Sequence, residues 1–308
     1  MVVGLATSYS EPTPNGESHL DVNNPYALAV DRRLHPRDWA PGKGRGTASY
    51  LPFGSMSYVV GGDLDRHGRV VIVGAKGGDI VIARLRRNGA PDESFAPGGM
   101  RRIVTPHRTE RPTEMSLDRQ GRILVTGKNV RNGKHYENFV ARFHNNGLPS
   151  LGWSRSGLRH FASSAWTPTE LVVRPSGRIL VGFSSKHRDR IRITQLTPYG
   201  NADFRSFTRN AKVSAHCVAP QHARTLSDLI VDNRKTKGRT ITAIMWCMRH
   251  GKRALLAAGW DGRGNPRTGF GRHGVGRLPF QSDFIAGDDS RGGQLVLLYQ
   301  DFLSRIGG

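Results

Sequence analysis

After residue 58, short apolar runs alternate with polar turns that carry a glycine at a fixed place. "LDRHGRVVIVG" (64–74), "LDRQGRILVTG" (117–127) and "VRPSGRILVGF" (173–183) are copies of one turn followed by one strand. Aligned on the turn glycine, the copies fall at Gly68, Gly121 and Gly177, with weaker ones at Gly238 and Gly293; the spacings are 53, 56, 61 and 55 residues. The runs themselves, "RVVIVG", "RILVTG", "RILVGF", "RTITAIMW" and "QLVLLY", are β-branched and aliphatic without a helical period, which predicts strands. A further strand follows at "DIVIARL" (79–85), "NFVARF" (138–143) and "RIRITQL" (190–196), and its alternation predicts one packed face and one wetter face. The tail of each unit repeats as well. A glycine four residues past the last strand hydrophobe fits a turn that needs φ > 0. An aromatic ten or eleven residues past it (Phe95, Trp153, Phe207, Phe270) is expected to fill the space between neighbouring units.

Strand-rich units of this length are the size of propeller blades. The expected fold is therefore all-β, a five-bladed β-propeller. The fifth copy stops at "LVLLYQDFLSRIGG" before any tail, and a tail-like segment stands near the start: "RLHPRDWAPGKGRG" (33–46) matches "NGAPDESFAPGGMR" (88–101), with Trp39 in the place of Phe95. The N-terminal segment is expected to complete the last blade and so remove an exposed sheet edge. The resulting plan is a flexible lead-in over 1–24 and one propeller domain over 25–308, with repeats at about 58–111, 112–167, 168–224, 225–279 and 280–308 plus 25–50. A sixth blade from residues 25–50 is disfavoured, because that stretch holds one candidate strand.

The pattern resembles the delta-60 repeat family, whose consensus joins an "x-D-G-K-I-L-V-x-G" strand to a later "R-x-x-x-D-G-x-x-D-x-x-F-G-x-x-G" tail. The likeness covers about residues 58 to 308, with Arg69, Arg122, Arg178 and Arg239 in the family's usual Lys position. It implies a β-propeller and no general biochemical activity.

Charge changes the picture next. The 46 Lys+Arg against 24 Asp+Glu give a net +22, which points to a polyanion partner or else to a solvated basic face. The basic clusters fall at strand ends and turns, and the candidate contact residues are Arg188, Arg190, Arg192, Arg234, Lys235 and Lys237. Binding of this kind is expected at the rim and outer faces. No apolar stretch is long enough for a membrane-spanning helix, and "ITAIMWCM" (241–248) reads as a buried strand. The N-terminus lacks the basic segment of a signal peptide. An extracellular or periplasmic protein is nevertheless favoured, on the delta-60 likeness and a possible Cys217–Cys247 bridge, with a cytoplasmic one as the alternative.

One repeated position carries chemistry. "TEM" (113–115), "TEL" (169–171), "SDL" (227–229) and "SDF" (282–284) each place an acid after a hydroxyl residue, while the first copy has Gly61 there. Glu114, Glu170, Asp228 and Asp283 would then form an acidic ring at the channel mouth, serving either a cationic ligand or acid–base catalysis. The alternative is that each acid pins backbone or an arginine at the repeat interface. This interface role is favoured, because an interface device repeats with every unit and a catalytic residue does not. The two cysteines, Cys217 and Cys247, fit a disulfide or two buried thiols; with His222 and His250 they make a poor zinc pattern. No nucleophile elbow, zincin helix or phosphate loop is present. The expected protein is a monomeric, non-catalytic binding or interaction scaffold for an anionic polymer, glycan or protein partner, without cofactor or metal. The alternative is a secreted glycan-acting hydrolase using channel carboxylates.

Overall fold

The repeated polar turn closes on itself. Asp65 Oδ1 accepts the backbone N–H groups of His67 (2.8 Å) and Arg69 (2.9 Å), and its Oδ2 takes the Arg69 guanidinium at 2.6 Å. Asp118 does the same with Gln120, Arg122 and the Arg122 guanidinium. The glycine between acid and arginine has a left-handed backbone, φ 70° at Gly68 and 75° at Gly121, which other residues adopt only with strain. Each turn therefore fixes the register of the strands on either side.

The computed structural model describes residues 26–27, 49–50, 58–104, 108–131, 135–154, 156–162, 165–185, 191–201, 226–232, 240–249, 252–267, 275–277, 284–289, 295–299 and 303–306. Among them the chain is all-β apart from one 3-10 turn at Pro97–Gly99. β1 (Tyr26–Ala27) and β2 (Ser49–Tyr50) pair only with each other in the described residues. The remaining strands form five antiparallel meanders. β3 (Tyr58–Leu64), β4 (Val70–Lys76), β5 (Asp79–Leu85) and β6 (Met100–Ile103) make the first. β7 (Arg108–Leu117), β8 (Ile123–Arg131), β9 (His135–Phe143) and β10 (Leu158–Ala162) make the second. β11 (Trp166–Val173), β12 (Ile179–Ser185) and β13 (Ile191–Leu196) follow, then β14 (Leu226–Asp232), β15 (Thr240–Arg249), β16 (Lys252–Trp260) and β17 (Val275–Arg277). The last meander is β18 (Phe284–Asp289), β19 (Leu295–Tyr299) and β20 (Leu303–Ile306). No helix of the described residues is long and apolar enough to cross a membrane. The segments 1–24 and 33–46, to which the lead-in and the closing tail were assigned, lie outside the described residues.

The chain divides into two compact units, residues 1–160 and 161–308. In the first, one core joins β4 and β5 to β8 and β9 through Val71, Val73, Ile80, Phe95, Met115, Ile123, Phe139 and Phe143. A second cluster, Val70, Ile72, Val81, Ala83 and Leu85, covers the opposite face of the first meander. The expected wet face of β5 is thus corrected: every residue from Asp79 to Leu85 is buried, because apolar side chains stand on both faces of a middle strand. β13 does alternate. In the second unit Leu180, Ile191 and Ile193 meet Leu229, Ile241, Met245 and Trp260, and of the strand expected to be buried at 241–248, Ile241 and Ala243–Met245 are buried.

The tail glycines Gly89, Gly147, Gly200 and Gly264 all have positive φ. Phe95 and Trp153 are core, 2% and 1% exposed; Phe207 and Phe270 lie outside the described residues. Each described aromatic is covered by two arginines. Arg84 and Arg101 stand 4.8 and 5.9 Å from the Phe95 ring, Arg142 and Arg159 stand 4.6 and 5.8 Å from Trp153.

The turn clasp makes a prediction about acid. Burial works to raise the Asp65 carboxyl, but the Arg69 N–H, the Arg69 guanidinium, the His67 N–H and the Arg69 charge together hold it below its ordinary value. Asp65→Asn keeps an acceptor for the backbone and loses the ion pair, so it should lower stability by about 1 kcal/mol at neutral pH. A depressed carboxyl contributes stability above its unfolded value of about 3.9 and loses it as pH falls through the lower folded value. Urea midpoints of wild type and Asp65→Asn should therefore differ at pH 7, begin to approach as pH falls below about 4, and meet only below the lowered folded value.

Candidate functional site

The first strand of every meander is interrupted at one place. The register shifts between Val59 and Gly61, Pro112 and Glu114, Pro168 and Glu170, Leu226 and Asp228, and Phe284 and Ala286. Each shift is a β-bulge of one residue, and the hydroxyl residue of the repeated pair is the bulged one at Thr113, Thr169 and Ser227. The acid is the next residue.

The two side chains clasp the bulge between them. Thr113 Oγ1 donates to the Thr126 carbonyl across the strand at 3.2 Å, and Thr169 Oγ1 to the Gly182 carbonyl at 3.5 Å. Glu114 Oε1 accepts the N–H of Met115 at 2.8 Å, and Asp228 Oδ1 that of Leu229 at 2.7 Å. Glu170 is buried, 7% exposed. A bulge displaces backbone groups from the ladder, and a carboxylate folded back on its own strand supplies an acceptor there.

The first copy's departure has a steric reason. A Cβ on Gly61 would stand 3.0 Å from Glu114 Oε1 and 3.1 Å from Met115 Cγ. The neighbouring meander's acid fills the space an acid at 61 would need. In the last meander Ala286 pairs with Leu298 just as Glu114 pairs with Thr126 and Glu170 with Gly182, so Ala286 stands at the matching ladder position. Asp283 lies outside the described residues. Three carboxylates, in two separate units, occupy the repeated position.

The other predicted residues divide in the same way. Arg192 lies over the Trp166 ring at 4.5 Å, where the flat guanidinium meets the π face. Arg188, Arg190, Arg234, Lys235 and Lys237 lie outside the described residues, as do Cys217, His222 and His250. Cys247 sits in β15 opposite Ala254, so the disulfide also falls outside what is described. Among the described residues no group of three or more His, Cys, Asp and Glu is placed to hold a metal ion.

One polar group was not foreseen. Near the start of β7, Glu110 is fully buried beside its cross-strand partner Asn129, which pairs in turn with Glu137. Asn129 Nδ2 lies 3.0 Å from His160 Nδ1, and Glu137 Oε2 lies 3.8 Å from the same nitrogen. The Glu110 N–H donates to the Gly78 carbonyl of the first meander at 2.7 Å. The signal available was "TERPTE", two glutamates four apart in the sequence; the bulge at Thr113 sets them on opposite faces, and the pairing with Asn129 and His160 needs the register.

No protein-family model and no characterised protein matches the chain by sequence. Solved structures are similar to it at low identity. The calcium-binding protein regucalcin from Agrobacterium tumefaciens is 10% identical with a TM-score of 0.43, over 79% of this chain and 68% of its own. An endo-arabinase from Bacteroides thetaiotaomicron is 11% identical with a TM-score of 0.44, over 78% and 90%. A GH43_1 enzyme from Xanthomonas citri is 9% identical with a TM-score of 0.41, over 81% and 88%. None of these likenesses carries a residue role to this chain.

The bulge clasp is testable by stability. Glu114→Ala removes the acceptor and should lower unfolding free energy by about 1 to 3 kcal/mol, while Glu114→Gln, whose amide oxygen still accepts, should lose less than about 1 kcal/mol. Urea titration of the two variants beside wild type reads the difference, and equal losses would place the effect elsewhere.

Proposed function

We propose that this chain is a non-catalytic scaffold of delta-60-type repeats, a five-bladed β-propeller closed by residues 25–50, and that it binds an anionic polymer through its arginine-rich surface. The observation that carries the reading is the use made of the repeated acids. Glu114 and Asp228 are turned back on their own backbone at equivalent bulges, which is how a repeated structural device behaves; a catalytic pair needs two carboxylates in different environments about one bond. Support for the blade count comes from the meanders, one to each copy of the repeat. Support for the ligand class comes from the net +22 charge. A scaffold of this type presents loops and turns to its partner while the strands hold them in place.

Retention on immobilised heparin and on immobilised nucleic acid should be strong at low salt and fall steeply as salt rises, since it rests on counterion release. An oligosaccharide panel should show no turnover. Turnover lost in Glu114→Gln or Glu170→Gln would replace the scaffold reading with the hydrolase. For closure, deleting residues 25–50 should destabilise the remaining chain, and an unchanged urea midpoint would remove that part of the proposal.

A further inference from the structure

In a meander the first and third connections lie at one end and the second at the other. In the first unit, the turns 65–68, 86–89, 118–121 and 144–147 are accordingly at one end of their two sheets. Contacts tie these turns together. Arg87 Nε stands 2.9 Å from the place of a Cβ on Gly68, and Asn145 Cβ stands 3.8 Å from that of Gly121. Arg84 Nη1 donates to the Asn145 carbonyl at 2.6 Å and Arg101 Nε to that of Asn146 at 3.2 Å.

Charge at this end is sorted by depth. Asp65, Asp92 and Asp118 are each held by an inner arginine, Arg69, Arg84 and Arg122, at 2.6, 2.7 and 2.5 Å. Their side chains are 5 to 6% exposed. Arg66, Arg86 and Arg119 are exposed on the outside of the same turns, and Arg86 comes no nearer to Asp92 than 3.9 Å. Around them stand exposed His67, Asn88, Gln120, His144, Asn145 and Asn146. Asp65, Asp92 and Asp118 are turned inward and Arg66, Arg86 and Arg119 outward, with Asp63 and Glu93 the exposed acids at this end.

Resting on the anionic-polymer reading above, we infer that this turn face binds single-stranded nucleic acid. Of the 46 basic residues, 37 are Arg and 9 are Lys, and the guanidinium fork matches phosphate with two parallel hydrogen bonds where an ammonium offers a point charge. Amide side chains beside the arginines add phosphate and sugar donors. The flat Arg and His groups at the turn tips give bases a surface to stack on, which a sulfated glycan does not use. Turn tips insert no helix or strand ribbon into a groove, so the binding is indifferent to sequence.

The test compares two triple variants of the full chain. R66Q/R86Q/R119Q removes three charges from the turn face, and K76Q/R111Q/K128Q removes three from the opposite end of the same two sheets, where Arg111 and Lys128 pair across strands. Fluorescence anisotropy with labelled oligo-deoxythymidine, over a series of NaCl concentrations, reads affinity and salt slope. The turn-face variant should lose about tenfold in affinity near 0.1 M salt and about 2 from the slope of log K against log salt, at roughly 0.7 per lost phosphate contact. The control should change the slope by less than about half a contact. Urea midpoints establish that each variant is folded, and R66K/R86K/R119K, which keeps the charge, should retain most of the slope. Equal losses in the two glutamine variants would overturn the site. A turn-face variant that loses heparin while keeping the oligonucleotide would overturn the ligand. The underlying reading fails in a different way, with wild type retaining neither polymer.

Discussion

A meander of three or four strands whose middle strands are apolar on both faces cannot stand by itself in water. β4 is buried from Val70 to Ala75, β5 from Asp79 to Leu85 and β12 from Ile179 to Ser185. Exposing either face would forfeit roughly 25 cal/mol for every Å² of apolar surface, against a net domain stability of only about 5–15 kcal/mol. Within each unit the described turns and tails serve the stacking of one meander on the next. The tail of the unit reaches over to the neighbour, so that Phe95 packs against the backbone of Gly147 in the following copy, where a side chain on the glycine would collide with the ring. The paired arginines finish the plug. Arg101 and Arg159 cover their ring and also donate to its residue's own carbonyl, Phe95 at 3.0 Å and Trp153 at 3.0 Å, so an aromatic at a polar boundary is held by cations whose charges stay near water.

The third copy shows that the turn and the plug are one device. Where the first two copies have Asp65 and Asp118, the third has Arg174; where they have Arg84 and Arg142, it has Gln195. The two changes answer each other. Arg174 Nη1 donates to Gln195 Oε1 at 2.7 Å, and Nη2 to the Gly262 carbonyl of the next meander at 3.1 Å. An arginine still bridges adjacent copies, but it now springs from the turn instead of the strand. In the fourth copy the later turn supplies its own acid, Asp261, whose Oδ1 accepts the N–H groups of Arg263 and Asn265. The geometry is retained while the residues that provide it are exchanged.

This explains which parts of the structure were legible in the sequence. The turns were, because an acid, a φ > 0 glycine and an arginine at fixed spacing are a complete local specification, visible without any partner strand. The strands were legible from their composition, but the wetness of β5 was misjudged: Arg84 in "DIVIARL" looks like a solvent-facing residue and is 5% exposed, because it lies over Phe95 and bonds Asp92. The repeated acid was found as a pattern and its use as a backbone acceptor was the favoured reading; the bulge it serves was not seen. A bulge is a property of two strands in register, and one strand's sequence does not contain it. For the same reason counting to an acid does not locate the ladder position that Ala286 holds opposite Leu298. Glu110, Asn129 and His160 come from three strands and could be joined only by the ladder.

The distribution of charge follows from the same architecture. A turn stabilised by an inward carboxylate uses up acids, and with 24 in the chain few are left for the surface of the described turns. Arginine serves as clasp, as ring cover and as bridge to the next copy, so the repeat raises its content for structural reasons. The result is a chain in which cations outnumber acids by 46 to 24. Such an excess repels itself and so opposes the compact state, by an amount that falls as salt or a bound polyanion screens it. A polyanion that binds only the folded chain adds stability as RT ln(1 + [L]/Kd), so ligand binding and the repeat's own electrostatic strain act on one quantity. On this account the positive charge is first a by-product of how the meanders are fastened, and the turn face is where that by-product is dense enough to become a binding surface.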